Sequence, residues 1–349
     1  MISKRFGAAS VAVLAAAAIA AATVVGTGAA APSKQSASVT VALISDIGRF
    51  NDHGFNQSQL SGLNRAKTVL GIKTIAKQSN SVSDYIPNIA AAVRQHANLV
   101  ISAGFLLADA TAKAAAKFPS TNFAITDYPV EAAPFADKKG KVLYKNVEGL
   151  TYAANESGCL VGYLAALTIK RQGKPHVMGA VAGIKIPPVD IWVAGYDYCA
   201  KLALPDVKLL LGYSQDFVQA DKCATVAQNQ ITQGAQVLFQ VAGGCGLGTL
   251  KAADAAGIWG IGVDTDQYTA AGHVLTSAIK RVDVGVYDAA KQLKAGKFLG
   301  GSDLNFNLKN GGMGVGKISP SVNRADIAKM NALKVKIIAG TVKVPTALK

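Results

Sequence analysis

The stretch Val41-Ala-Leu-Ile-Ser-Asp-Ile-Gly-Arg-Phe-Asn-Asp-His-Gly-Phe-Asn-Gln57 decides how this chain is read. Residues 39–44 are β-branched and aliphatic, which predicts a strand. The run breaks at Gly48 and restarts as a helix from about Gly54, through Leu60 and Leu63. Strand, loop and helix form the first unit of a parallel α/β sheet, and ligands sit at the carboxyl ends of such strands. The loop between them carries Asp46, Asn51, Asp52, Phe55 and Asn56. Polar groups at that density around Phe55 fit recognition of a small polar molecule better than core packing.

Outward from this unit the chain keeps alternating. Strands are expected at 72–77, 99–103, 122–126 and 147–152, and helices at 84–96, 108–118 and 156–170. A second series follows, with strands at 176–181, 207–213, 237–241, 260–263 and 273–279. Its helices are expected at 187–204, opened by Pro187 and Pro188 as Pro suits a first turn, and at 220–233, 248–256 and 284–295. The tail offers one strand and a helix over 324–339. Regular βα alternation implies parallel sheets with right-handed crossovers. Two such series imply two lobes that face each other across a cleft at their strand ends.

The bulk properties agree. A chain of 349 residues suggests two domains, and a half-apolar composition supports a large core. The first 30 residues read as a secretory signal peptide: Lys4 and Arg5, an Ala/Val-rich middle, then Gly28-Ala29-Ala30. Cleavage near Ala30 implies an exported protein, periplasmic or at the cell surface. No Cys near that exit marks a lipid attachment site, and no later stretch has the ~20 apolar residues a bilayer span needs. In an exported chain Cys159, Cys199, Cys223 and Cys245 suggest two disulfides, with three pairings open. Cys159–Cys199 with Cys223–Cys245 is favoured. Cys223 opens a helix and Cys245 follows the next strand, and both positions share one edge of a βαβ sheet. No C-x-x-C spacing supports zinc. The formal charge of +15 is spread along the chain without an aromatic-interleaved basic patch, so it reads as surface character and not as nucleic-acid binding.

Several strand ends bear glycine or polar residues: Asp46, Gly104, Asp127, Gly243-Gly244, Asp264 and Lys280. Phe55 and Phe217, one from each lobe, would sandwich a flat ligand by stacking. Asp264 and Lys280 would hold vicinal hydroxyls through charge-assisted hydrogen bonds. Plainer readings stand beside these. Asp127 could cap a turn before Pro129, Phe217 could be a core ring, Lys280-Arg281 an exposed pair, and Asn51-Asp52 only a turn former. A nicotinamide enzyme is a rival, since Gly244-Cys-Gly-Leu-Gly248 follows a strand and Asp264 ends the next one. Thr249 stands where that fingerprint needs its third glycine. His53, His96, His176 and His273 form no metal-protease spacing, and there is no G-x-S-x-G elbow. No catalytic residue, metal or cofactor is expected.

These residues resemble the basic membrane protein family, the purine-nucleoside-type substrate-binding proteins of ABC transporters. The carriers are Asp46–Gln57, Gly183-Ile-Lys-Ile-Pro-Pro-Val189, Ala242-Gly-Gly-Cys-Gly-Leu-Gly248, Gly262-Val-Asp-Thr-Asp-Gln267 and Leu275-Thr-Ser-Ala-Ile-Lys-Arg-Val-Asp283. The resemblance implies a type I periplasmic-binding-protein fold: two doubly wound parallel-sheet lobes joined by a multi-strand hinge. Lobe 1 would take 37–148 plus 281–311, and lobe 2 would take 149–280 plus 312–349. It implies Asp46, Phe55, Asp127, Phe217, Gly244, Asp264 and Lys280 as ligand residues, and the reading of the first loop and the strand ends adds Asn51 and Gly243 to that set. The partners would be a purine nucleoside, an ABC permease and its ATPase subunits, with the protein a monomer that binds no nucleic acid. The alternatives are a sugar or flavin on the same fold, or an enzyme acting on nucleosides. Two departures are visible: Ile47 stands where some nucleoside binders place a polar residue, and the usual lipid-anchor Cys is missing.

Overall fold

The opening strand, β1, runs Thr40–Ser45, and its Val41, Ala42, Leu43 and Ile44 are all fully buried. A strand covered on both faces needs such an unbroken apolar run, so the sequence selects a central position in a parallel sheet. The computed structural model describes residues 38–348. The signal peptide expected over the first 30 residues lies outside them.

Eleven further strands and nine helices follow among the described residues. The first series is α1 (Phe55–Leu70), β2 (Lys73–Lys77), α2 (Tyr85–Arg94), β3 (Leu99–Ala103), α3 (Ala108–Lys117), β4 (Asn122–Thr126) and β5 (Val147–Tyr152). The second is α4 (Ala154–Arg171), β6 (Val177–Ala182), α5 (Pro187–Ala203), β7 (Lys208–Tyr213), α6 (Ala220–Thr232) and β8 (Val237–Val241). It continues with α7 (Gly246–Ala255), β9 (Trp259–Asp264), β10 (Val274–Lys280) and α8 (Val282–Lys294). The tail gives β11 (Asp303–Phe306), β12 (Met313–Val315) and α9 (Arg324–Ile338).

The strands form two six-stranded sheets, β2-β1-β3-β4-β5-β11 and β7-β6-β8-β9-β10-β12. All pairings are parallel except the last, where β12 runs antiparallel to β10. Each sheet therefore reverses its strand order beside its first strand, which opens a crevice at the carboxyl ends. β11 has no counterpart among the strands expected from sequence. Its four residues pair only with β5, and so short an edge strand carries too little alternation to stand out.

The chain changes sheet three times. β5 stays in the first sheet to its end, with Tyr152 opposite Phe306, so the division expected between 148 and 149 falls inside this strand. The first change comes at Ala153 and the second at Arg281, and the two share one backbone conformation (φ −77°, ψ 63° and φ −84°, ψ 61°). The third lies between Phe306 and Met313. Hydrogen bonds tie the changes together: Ala153 N–H to Phe306 O at 2.8 Å, and Arg281 N–H to Gly312 O at 2.9 Å.

Helices cover both sheets. α4 and α5 pack so closely that a Cβ added at Gly158 or Gly162 would lie 2.3 Å from the Trp192 or Tyr196 carbonyl. The Cys159–Cys199 disulfide joins these two helices, and Cys223–Cys245 joins α6 to the segment after β8. That is the pairing favoured from sequence.

Candidate functional site

The segment after β1 is organised by two carboxylates. Asp52 accepts from the backbone N–H groups of Gly54 (2.9 Å), Asn56 (2.9 Å) and Gln57 (3.0 Å), and so caps the start of α1. Asp46 accepts from Gly48 N–H (2.8 Å) and from Asn56 Nδ2 (3.0 Å). These contacts hold Asn56 rigidly inward, with its own Oδ1 buried and without a partner. Phe55 begins α1 beside them. Gly104, at φ 131° after β3, is the floor under its ring: a Cβ there would lie 3.2 Å from both Phe55 Cε1 and Asp46 Oδ2. The left-handed backbone and the tight approach both call for glycine.

The opposite wall comes from the second lobe. Pro188, Val189 and Trp192 occupy the first turns of α5, Ile186 immediately precedes it, and Phe217 and Gly243 follow β7 and β8. Together with Asp46, Asp52, Phe55, Asn56, Asp127, Asp264 and Lys280 they enclose a cleft of about 600 Å³, open solvent at its mouth included. Rings from both lobes therefore face one space.

Asp127 and Asp264 occupy equivalent places, each just at the end of the fourth strand of its sheet, and each has a left-handed backbone (φ 64° and 65°). Such a conformation is uncommon outside glycine and concentrates where function imposes it. The last residues of the fifth strands, Tyr152 and Lys280, are also equivalent. Lys280 is 2 % exposed and reaches across the lobes to Asp127, Nζ to Oδ2 at 2.5 Å. Its ammonium lies 4.9 Å from the Phe55 ring centre, 5.1 Å from that of Tyr152 and 5.9 Å from that of Trp192. A cation so placed is held by ring quadrupoles as well as by its counter-ion.

Four carboxylates thus share the cleft with one ammonium. Burial pushes the Asp46 carboxyl up to about 6. Burial also takes Asp264 to about 7, opposed by Lys280 and reinforced by Asp127, Asp52 and Asp46. Asp127 is raised by burial despite Lys280. The cleft is rich in acceptors, which suits a ligand that brings hydroxyl or N–H donors. Among the described residues no group of three or more His, Cys, Asp or Glu is placed to hold a metal ion.

Of the residues expected from sequence, Asp46, Phe55, Asp127, Phe217, Gly243, Asp264 and Lys280 line this one cleft. Two do not. Asn51 is exposed on the turn before α1, and Asn56 holds the inward place instead, because Asp52 fixes the helix start so that position 56 faces the cleft. Gly244 lies against Asp52 of the other lobe, its added Cβ 3.5 Å from Asp52 Cβ, where it lets the lobes meet. Lys280, expected to act with Asp264, has its hydrogen bond to Asp127. His53 is exposed, and its carbonyl accepts from Thr265 Oγ1 and Gln267 Nε2 of the second lobe, both at 3.0 Å. Sequence reading missed Trp192, although a proline-opened helix pointing at the cleft places positions 188, 189 and 192 on its near edge.

The fold and this inter-lobe cleft define a solute-binding protein of the ABC-transporter kind. A solved solute-binding protein of an ABC transporter system from Aeropyrum pernix superposes with a TM-score of 0.77 at 26% identity, covering 89% of this chain and 94% of that one. Another from Conexibacter woesei shares the fold with a TM-score of 0.68 at 24% identity, covering 89% of this chain and 100% of its own. The chain belongs to the Bmp family, described as ABC transporter substrate-binding protein PnrA-like, whose model matches residues 38–347. It is 34% identical to the ABC transporter nucleoside-binding protein BmpA of Lactococcus lactis over 87% of this chain and 88% of that one. It is 33% identical to the CD4+ T-cell-stimulating antigen of Listeria monocytogenes, over 89% of both chains. Among the described residues no helix is long and apolar enough to cross a membrane.

Proposed function

We propose that the cleft captures a purine nucleoside and that the closed protein delivers it to a membrane permease and its ATPase subunits. The observation that carries this reading is the meeting of Phe55 from one lobe with Phe217 and Trp192 from the other around a cleft whose polar groups are Asp46, Asn56, Asp127, Asp264 and Lys280. The rings suit the flat base, and the carboxylates with Lys280 suit the ribose hydroxyls. The relative named as nucleoside-binding supports the same ligand class. Asn51 and Gly244 take no ligand contact in this reading: the first is exposed on the turn before α1, and the second lets the lobes meet.

The two lobes act as jaws hinged at the three chain changes, with residues 38–152 and 281–311 in one and 153–280 and 312–348 in the other. Hinge closure around a ligand is a two-state device that needs no covalent chemistry. The protein releases its ligand unaltered, acts as an exported monomer after loss of its signal peptide near Ala30, and binds no nucleic acid.

Calorimetry with inosine, guanosine and adenosine tests the reading. Saturable binding of at least one, with the 2′,3′-dideoxy analogue much weaker, is the expected result, because buried acceptors would otherwise be left unpaired. Heat with a sugar or flavin and none with any nucleoside overturns the ligand. Release of free base on prolonged incubation overturns the non-enzymatic role.

A further inference from the structure

α9 covers the second lobe with one face only. Asp326, Met330, Leu333 and Ile337 are its buried positions, spaced along a single helical stripe. Asp326 is 1 % exposed and is held by Arg171 of α4 through two bonds, at 2.5 and 2.7 Å. It is also the sole acid between residues 304 and 349. The outer face of α9 therefore has no negative charge of its own. It presents Arg324, Lys329 and Lys336, with Lys334 at its margin. Lys343 beyond the helix and Lys170 and Lys174 at the end of α4 are exposed as well.

Between those cations runs an apolar ridge. Val335 is 66 % exposed and Ile338 38 %, on the same side as Ala328 and Ala332. Helical spacing puts Arg324, Ala328 and Val335 on one line, with Lys329 and Lys336 to one side and Lys334 to the other. Large apolar side chains at an exposed crest, flanked by lysines on both sides, match an interfacial helix. The apolar groups enter the headgroup layer and the long basic chains lie beside them with their ammonium groups in water.

We propose that this face of the second lobe rests on the surface of an anionic phospholipid bilayer. Attraction to acidic headgroups accounts for the one-signed charge. The exposed Val335 and Ile338 favour a lipid surface over a soluble polyanion, which would be met by charge alone. The cleft stays free in this arrangement. None of Arg324, Lys329, Val335, Lys336 and Ile338 is among the residues that line the cleft, and the start of α9, held by Arg171, lies at the amino ends of the second sheet's strands.

Co-sedimentation of the full chain with phosphatidylcholine vesicles, with and without phosphatidylglycerol, tests this. Binding is expected only with the acidic lipid and is expected to fall in about 0.5 M salt, where charges are screened within ~4 Å. The variant Arg324→Glu/Lys329→Glu/Lys336→Glu is expected to lose vesicle affinity about tenfold or more. Val335→Ser, which removes the apolar side chain without changing charge, is expected to lose it several-fold. A control with Lys138→Glu/Lys139→Glu/Lys141→Glu, reversing the same number of charges on the first lobe, keeps it. Circular dichroism and unchanged inosine binding establish that each variant is folded. Equal losses in the control, or no loss with Val335→Ser, overturn the proposal, the second result pointing to a polyelectrolyte partner.

Discussion

Lys280 of the second lobe and Asp127 of the first form a buried ion pair across the cleft, 2.5 Å from Nζ to Oδ2. Asp127 follows β4 of the first sheet and Lys280 ends β10 of the second, so the bond ties the two lobes together. A buried pair is costly to half-remove, because the remaining charge is stranded. Lys280→Met is expected to cost about 3 kcal/mol, limited by protonation of an Asp127 carboxyl already raised above its usual range. Adding Asp127→Asn should recover most of that stability. Inosine affinity should stay down about a hundredfold in both variants if Lys280 also bonds the sugar. A double variant that melts and binds like the parent would reduce Lys280 to a structural cation.

Trp192 gives the cleft a built-in reporter. The chain has two tryptophans. Trp192 lines the cleft and is 2 % exposed, whereas Trp259 starts β9 at the far end of the sheet, edge-on to His273 at 6.3 Å. Saturating inosine should change intrinsic emission, and the change should survive Trp259→Phe and vanish in Trp192→Phe. Persistence of the change in Trp192→Phe would place the ligand elsewhere. Phe217→Ala should weaken binding about tenfold by removing one stacking partner.

How much of this was legible depended on how local each cause is. β1, α1 and the alternating series were readable because continuous apolar strands and helical stripes are local patterns. Phe55 and Phe217 are legible because each is a ring set among polar residues between a strand and the helix that follows it. Trp192 sits in an apolar helix face and looks like core from its spacing. Sequence reading places Asn51 and not Asn56 in the ligand set; both are polar, five residues apart, and no local pattern separates them. The choice was made by the three bonds to Asp52 that fix where α1 begins. The Lys280–Asp127 pair spans 153 positions and two lobes, and no local pattern announces it.

The Cys223–Cys245 disulfide holds the wall that carries Phe217. Cys245 N–H donates to Phe217 O at 3.1 Å, and Asp216 fixes the same loop by accepting from Val218 N–H (2.6 Å), Gln219 N–H (2.8 Å) and Lys222 Nζ (2.8 Å). Cys223→Ser/Cys245→Ser removes a 22-residue loop closure, and Cys159→Ser/Cys199→Ser a 40-residue one. Each should cost about 3 kcal/mol or slightly more. Inosine affinity, measured well below each variant's melting temperature, separates them: the first pair should lose about tenfold by loosening Phe217, the second little. Equal losses would mean that the disulfides act only on global stability.

Glu148 of β5 is wholly buried, both of its carboxylate oxygens lack partners, and burial, with Asp303 of β11 and Asp288 of α8 nearby, raises it from 4.5 to about 7. No cation is among the causes of that shift, so the folded state favours the neutral acid. Between pH 4.5 and about 7 the folded chain holds a proton at Glu148 that the unfolded chain has released. Stability therefore falls as pH rises through this window and levels off above it. Asp264, raised from 3.8 to about 7 mainly by burial, acts in the same direction. Glu148→Gln removes one titration and keeps the shape. Its melting temperature should match the parent near pH 4.5 and exceed it by about 2 °C or more at pH 8. Inosine affinity should not change, because Glu148 is outside the cleft lining. A parallel pH profile for parent and variant would show that Glu148 has a compensating partner in solution and ionises at its ordinary value.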